Sequence, residues 1–442
     1  EWNPKGYHPT CVSAYSTEAG TRFASVFVFD KTTPRVAKHG LNAADYQKLF
    51  EQMGAKGYQL EDICGYQEGK EQHYACVFYK PHVVSYPLPV SGTAVPALAA
   101  YDDTMQKFMR DRHIQCGTLA VSKGGKLLFS RGYGFIDRDA QTLCGPATPL
   151  RIASVVKPLT LAALLKLIRE GKVTADTKIV SFLGLKAPAG TTMDKRWSDI
   201  TVQHCIDHKG GWNRNTAPIG DPMFQSLKIA KALGKNSPPS ATDIINYMVG
   251  QPLEFTPGTG KGPPDTYSNF GYCILGRVIE KASGKKYMDY LHSDITNPLG
   301  LSSIQLGSSL PGGRNPKEPV YLDPGFDFNV FDAKSKAKVR EPDGAFCTEA
   351  MDSHGGQIAS APDLAKFMEN YWITGQPRKA GESVPGTFFG GLPGTHTMVH
   401  WRGDGVNIVA LFNQRTDPSK LDYNLIESMM DTTTAGIKSW PK

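Results

Sequence analysis

Ser154 and Lys157 stand three residues apart where a loop, Arg151-Ile152-Ala153, passes into an apolar run reaching from Leu159 to Ile168. At the start of a helix that spacing puts both side chains on one side, close enough to touch. A serine hydroxyl becomes a useful nucleophile only when a neighbouring base takes its proton. A lysine made neutral by desolvation is such a base. The same four residues also fit a surface helix start, with a capping serine and a solvated lysine. Pro158 follows Lys157 directly and removes one backbone N–H, so a distorted first turn is expected.

Positioning such a pair takes a rigid frame, and the sequence outlines one. Leu161, Leu164, Leu165 and Ile168 recur on one face of a buried helix. Upstream, residues 98–112 read as a helix, and 117–122 and 126–130 as strands joined by the hairpin turn Lys123-Gly124-Gly125. A further helix opens at Asn269, with Ile274, Leu275, Val278 and Ile279 facing inward. Residues 302–346 are rich in turns. Two strands near the end, 398–401 and 406–412, precede an amphipathic helix carrying Leu425, Ile426 and Met429.

The first 80 or so residues contain an internal repeat. Gly6-Tyr7, Tyr15 and the strand 22–28 return in the same order as Gly57-Tyr58, Tyr66 and the strand 73–79. Between the copies lies an amphipathic helix capped by Asn42, with Tyr46, Leu49, Phe50 and Met53 on one face. Neighbouring copies of such a unit complete each other's core. A binding or spacer module and a purely structural support are the two readings, and a protein ligand is the partner the first would imply. The Pro- and Ser/Gly-marked stretch 81–97 is a linker candidate. The domain expectation is therefore a repeat domain at 1–88, a linker at 89–97 and a catalytic domain at 98–442.

The chain has 442 residues and a formal charge of +7, spread along the sequence, so no nucleic-acid surface is expected. No apolar run approaches the length of a membrane span. Eight cysteines form no C-x-x-C pair or zinc-spaced cluster, so neither a metal nor another cofactor is expected. Their even number favours disulfides, with Cys11–Cys64 and Cys116–Cys144 as candidate pairs. The first residue is Glu1, which fits a mature secreted protein.

In this order, several short stretches make the region 98–442 resemble the serine β-lactamase and penicillin-binding-protein-like superfamily, in its class C β-lactamase, esterase and D-aminopeptidase branch. Ser154-x-x-Lys157 stands at the nucleophile motif and Tyr267-Ser268-Asn269 at the Tyr-x-Asn motif. His208-Lys-Gly-Gly211, Phe255-x-Pro-Gly258 and Gly355-Gly356 with Asp363-Leu364 are supporting matches. The resemblance implies an α+β fold: a β-lactamase/transpeptidase-like catalytic domain, with an antiparallel sheet flanked by a helical subdomain, preceded by a small α+β repeat domain. It implies acylation of Ser154, proton transfer through Lys157 and Tyr267, and Asn269 fixing Lys157 and the substrate. The oxyanion would be met by the backbone N–H groups of Ser154 and Gly391.

One departure stands out. Phe388 occupies the position of the family's strand-edge Lys or His, which argues against substrates carrying a carboxylate there. His354, His396 and His400 are weighed as substitutes, each with a purely structural alternative. The repeat is similar to that of fungal polyglycine hydrolases, secreted endopeptidases. The leading expectation is thus a secreted serine peptidase or amidase acting on a peptide or small amide. An esterase on the same machinery is the near rival, and a binding pseudoenzyme is the third reading.

Overall fold

The computed structural model describes residues 6–18, 20–29, 33–56, 58–80, 88–216, 220–335, 337–379, 381–415 and 421–441. The chain divides into two compact units, Glu1–Tyr86 and Pro87–Lys442.

The first unit opens with a hairpin of β1 (Tyr7–Thr17) and β2 (Gly20–Phe29). It continues through β3 (Arg35–Leu41), α1 (Ala43–Ala55), β4 (Gln59–Glu68) and β5 (Glu71–Tyr79). The last three strands form one sheet with β5 in the middle. The α1 helix starts where the Asn42 side chain accepts the Asp45 N–H at 2.9 Å. Its apolar face lays Tyr46, Leu49 and Met53 over Cys76 and Phe78. The β1–β2 hairpin repeats the strand pattern but leaves Phe23, Phe27 and Phe29 exposed. Gly57, part of the repeated Gly-Tyr, lies outside the described residues, as do 81–87.

The second unit begins with β6 (Val90–Ser91), α2 (Ala99–Asp111), β7 (Cys116–Lys123), β8 (Lys126–Asp137), β9 (Thr142–Leu143), β10 (Leu150–Arg151) and α3 (Val156–Arg169). A helical stretch follows: α4 (Ile179–Leu183), α5 (Val202–Ile206), α6 (Ser226–Leu233), α7 (Ala241–Val249), α8 (Asn269–Ser283) and α9 (Tyr287–Leu291). Short strands β11 (Gln305–Leu306), β12 (Phe326–Phe328), β13 (Lys338–Arg340) and β14 (Gln357–Ala359) lead to α10 (Ala361–Asn370). The chain closes with β15 (Gly386–Leu392), β16 (Thr395–Trp401), β17 (Val406–Phe412) and α11 (Leu421–Ala435).

The main sheet is antiparallel, ordered β15-β16-β17-β7-β8-β6, with β9 beside β8. Alternation divides its side chains between two cores. Leu119, Val121, Ile408, Ala410 and Phe412 meet Phe108 and Met109 of α2 and Ile426 and Met430 of α11. Ala120, Val399, Val409 and Leu411 point the other way, into the core shared with α3, α8 and α10. Because both faces are covered, β16 and β17 are buried along their whole length. Each large apolar side chain so buried contributes roughly 1.5–3 kcal/mol. This is a β-lactamase/transpeptidase-like arrangement of sheet and helices.

Two expectations need correction. Residues 89–97 belong to the second unit: Val90 and Ser91 pair with Tyr133 and Gly132, and Val90 and Val95 pack on its core. All eight cysteines are free thiols. Cys64 faces Ala14 rather than Cys11, accepting the Ala14 N–H at 3.3 Å. The Cys116 and Cys144 thiols do lie against each other, with Cys144 donating to the Gly117 carbonyl at 3.4 Å. The turn-rich region is tied to β10 by the buried Arg151. Its guanidinium donates to Ser308 O at 2.8 Å and Pro342 O at 3.1 Å, and lies 4.4 Å from the Tyr321 ring.

Candidate active site

Ser154 sits in a 3-10 turn, Ala153–Val155, that runs directly into α3. Pro158 is the third residue of α3, whose first turn is α-helical, so the expected distortion at Pro158 is absent and the 3-10 turn lies ahead of it. Ala153 holds φ = +47°, a left-handed conformation uncommon for a residue with a Cβ. Packing maintains it. Ile152 N–H donates to Gln357 O at 3.0 Å, and β15 passes so close that a Cβ on Gly390 would meet Ile152 O at 2.3 Å. Only glycine allows that approach, which explains half of the Gly390-Gly391 pair.

Around Ser154 three elements deliver the polar groups. Lys157, fully buried, directs Nζ to Ser154 Oγ at 3.1 Å, Asn269 Oδ1 at 2.7 Å and the His354 carbonyl at 3.0 Å. Burial drives its pKa well below the ordinary lysine value, opposed by Asp221 and assisted by Arg214. Tyr267 Oη donates to Ser154 Oγ at 2.9 Å. Burial pushes this phenol up to about 12, against the Ser154 hydrogen bond and the Arg214 charge. Asn269 is the first residue of α8, whose N-terminus is fixed by Ser268 Oγ accepting the Gly271 N–H at 3.1 Å.

Asp221 orients this array, and no motif announced it. Its Oδ2 accepts from Asn269 Nδ2 at 2.6 Å, which turns Asn269 Oδ1 toward Lys157 and leaves one Nδ2 hydrogen for a substrate. Its Oδ1 accepts the Met223 N–H at 3.1 Å. His208 positions Tyr267 from below: the rings stack at 4.5 Å, and Nδ1 accepts the Ser268 N–H at 3.0 Å. Burial lowers the His208 pKa to about 3, so the ring is neutral.

The cleft has two lobes that meet at Ser154, Arg214, Gly391 and Arg415. One is lined by Asp221, Phe224, Asn269, Met351, His354 and Gly355. The other is aromatic, with Tyr267, Phe388, Phe389, Tyr423 and the Pro263-Pro264 pair. Gly391 lies on β15, the edge strand of the sheet, so its backbone borders the cleft. A Cβ there would fall 2.0 Å from Tyr423 Oη. His354 lines the first lobe, but its ring nitrogens find no partner among the described residues; its carbonyl, not its imidazole, meets Lys157.

His396 and His400 do not line the cleft. His396 is enclosed by Phe108, Phe412 and Tyr423 and lowered by burial to about 3. His400 is held by Thr387 at 2.6 Å and Asp431 at 3.2 Å, beside Glu427 and Arg402. The positive charge missing at Phe388 is nevertheless present. Arg214 and Arg415 both line the cleft, so two cations stand beside it although Phe388 carries none. Neither arginine belongs to a recognisable motif. They reach Ser154 only because the loop after His208 and the end of β17 converge there.

Comparison with known proteins gives matches in both units. Residues 101–422 match the Beta-lactamase family, and residues 1–30 and 32–81 match the repeat described as "Polyglycine hydrolase-like, structural repeat". Esterase EstB of Burkholderia gladioli is 24% identical over 290 residues, covering 64% of this chain and 72% of the esterase. The human mitochondrial serine beta-lactamase-like protein LACTB is 25% identical over 303 residues, covering 56% of this chain and 52% of LACTB, about half its length. D-amino acid amidase from Ochrobactrum anthropi superposes with a TM-score of 0.54 at 18% identity, over 77% of this chain and 97% of the amidase. From the match over 101–422 and the fold that carries it, the chain belongs to the β-lactamase family.

Proposed function

We propose that this protein is a serine hydrolase that forms an acyl-enzyme on Ser154. The observation that carries the reading is the convergence on one oxygen: Lys157 Nζ at 3.1 Å and Tyr267 Oη at 2.9 Å from Ser154 Oγ. When Lys157 is neutral it keeps two hydrogens for Asn269 Oδ1 and the His354 carbonyl, and its lone pair faces Ser154. It then takes the Ser154 proton as Oγ attacks a carbonyl. Tyr267, protonated because burial raises its pKa, gives its proton to the leaving group. Water, deprotonated by the same groups in reverse, releases the acyl chain. Backbone N–H groups at Ser154 and at Gly391 on the β15 edge would meet the oxyanion.

The substrate we propose is a peptide or amide, with glycine-rich segments as the specific candidate. The polyglycine-hydrolase-like repeat at residues 1–81 supports this, and the same likeness supports an extracellular setting. The repeat unit itself would hold the substrate chain or a protein ligand. An esterase is the second reading, favoured by the aromatic lobe at Phe388 and Phe389 and by the relation to Esterase EstB. Turnover of glycine-rich peptides and of short-chain esters, measured at equal enzyme concentration, separates the two. Peptide cleavage is expected; cleavage of esters alone rejects the peptidase reading. A protein that turns over neither, and loses no activity on Ser154→Ala, is a binding protein.

A further inference from the structure

Arg214 lies over the face of the Tyr267 ring, its guanidinium carbon 4.3 Å from the ring centroid, while its backbone N–H donates to the Tyr267 carbonyl at 3.3 Å. Among the described residues it has no ion-pair partner, and it is only half-buried, at the meeting point of both lobes. A guanidinium needs a reason to stay over a phenol when water is available. The ring quadrupole gives a weak attraction, and a phenolate gives a strong one.

The groups facing Tyr267 show why the charge matters. Ser154 Oγ accepts from the hydroxyl, Lys157 Nζ is 4.8 Å from the ring centroid, and neutral His208 stacks on it. Asp221 and the Tyr423 hydroxyl both oppose a negative charge on it. Once Lys157 has received the Ser154 proton its charge is committed to Asn269 and the His354 carbonyl. That leaves Arg214, which lies over the ring itself, as the cation stacked on Tyr267, with Arg415 elsewhere on the same lobe.

Resting on the serine-hydrolase reading, we infer that Arg214 is a positioning residue that stabilises the negative charge developing on Tyr267 Oη as the phenol gives its proton to the leaving group. In that step the O–H bond of Tyr267 breaks, the electron pair stays on the phenolate, and the proton forms a bond to the departing nitrogen or oxygen as its bond to the acyl carbon breaks. During deacylation the phenolate takes a proton from the attacking water, and the Lys157 ammonium returns its proton to Ser154 Oγ as the acyl group leaves. The role lies in the leaving-group half of acylation, so its importance depends on how badly the leaving group needs a proton.

The test uses the full-length chain and two esters of one acyl group, N-acetylglycine p-nitrophenyl ester and N-acetylglycine ethyl ester. The first leaving group departs without protonation; the second does not. Arg214→Met keeps the stem packed on the ring and removes the charge, and Arg214→Lys restores a cation. The expected result is that Arg214→Met loses at least about tenfold more kcat on the ethyl ester than on the p-nitrophenyl ester, with Arg214→Lys between it and wild type. An equal loss on both esters, no loss on either, or a change confined to KM overturns the proposal. If Arg214→Met does not fold by circular dichroism, Arg214→Lys and Arg214→Gln carry the same comparison. Wild type that turns over neither ester rejects this proposal, and the hydrolase reading falls with it only when glycine-rich peptides are uncleaved as well. An active wild type without the leaving-group split rejects the role of Arg214 alone.

Discussion

Two neighbours decide what Ser154 can do, and their effects are separable. Lys157→Met removes the base while keeping the buried volume, and the acylation rate should fall about 10²–10⁴-fold. A stopped-flow burst with an activated ester reads this directly; a fall of less than about tenfold would move the base elsewhere. Asp221 acts at one remove, by fixing which end of the Asn269 amide faces Lys157. Asp221→Ala should lower kcat by up to about 100-fold, the usual cost of a small misplacement in such a set. Asp221→Asn, which keeps one acceptor, should recover part of it. Ser154, Lys157, Tyr267 and Asn269 were legible in the sequence because each occupies a short motif. Asp221, Arg214 and Arg415 were not. Their positions depend on where loops return in space, and single residues in loops carry no periodic signal.

At the scale of elements, the nucleophile turn and β15 constrain each other. Gly390→Ala would drive a methyl group into Ile152 O, at 2.3 Å, and push the strand away from Ser154. The fold should survive, because β15 is an edge strand with neighbours on one side only. Activity should fall by about 100-fold, and measured kcat/KM beside an unchanged circular dichroism spectrum checks it. The helices were readable from their period, as in α3 and α8, and in α1 also from the Asn42 cap. What misled was punctuation: the Pro- and Gly-rich residues 89–97 look like a linker, yet Val90 and Ser91 complete the sheet. Two-residue strands give no alternation to detect, so turn signals outweighed them. The Cys11–Cys64 pair failed for a related reason. Equivalent places in two repeat copies are not opposite places, and Cys64 ends beside Ala14.

Across the whole molecule, each unit carries its own apolar core: one in the repeat unit and two on the faces of the main sheet. A chain lacking residues 1–86 is therefore expected to fold and to keep its activity on small esters, with any loss confined to peptide substrates. Loss of folding on removal would show that the second unit depends on the first. The second unit also buries His208, His354 and His396 as neutral rings. Their folded pKa values lie below the unfolded value of about 6.5, so the unfolded chain binds more protons as pH falls. The stability they permit is complete above about pH 6.5 and drains away below it, toward pH 3 for His208 and His396. Each ring costs up to about 1.4 kcal/mol per pH unit in that window. Melting temperature should fall accordingly, and His396→Phe, in its aromatic surroundings, should lessen the slope. An unchanged slope would contradict the assignment.

The central claim is that Ser154 is a nucleophile activated by its neighbours. A fluorophosphonate probe followed by mass spectrometry of the intact and digested chain tests it most directly. A single adduct on Ser154, absent from Ser154→Ala and strongly slowed in Lys157→Met, is the predicted result. No adduct at any pH, or an adduct that persists in Ser154→Ala, would contradict it.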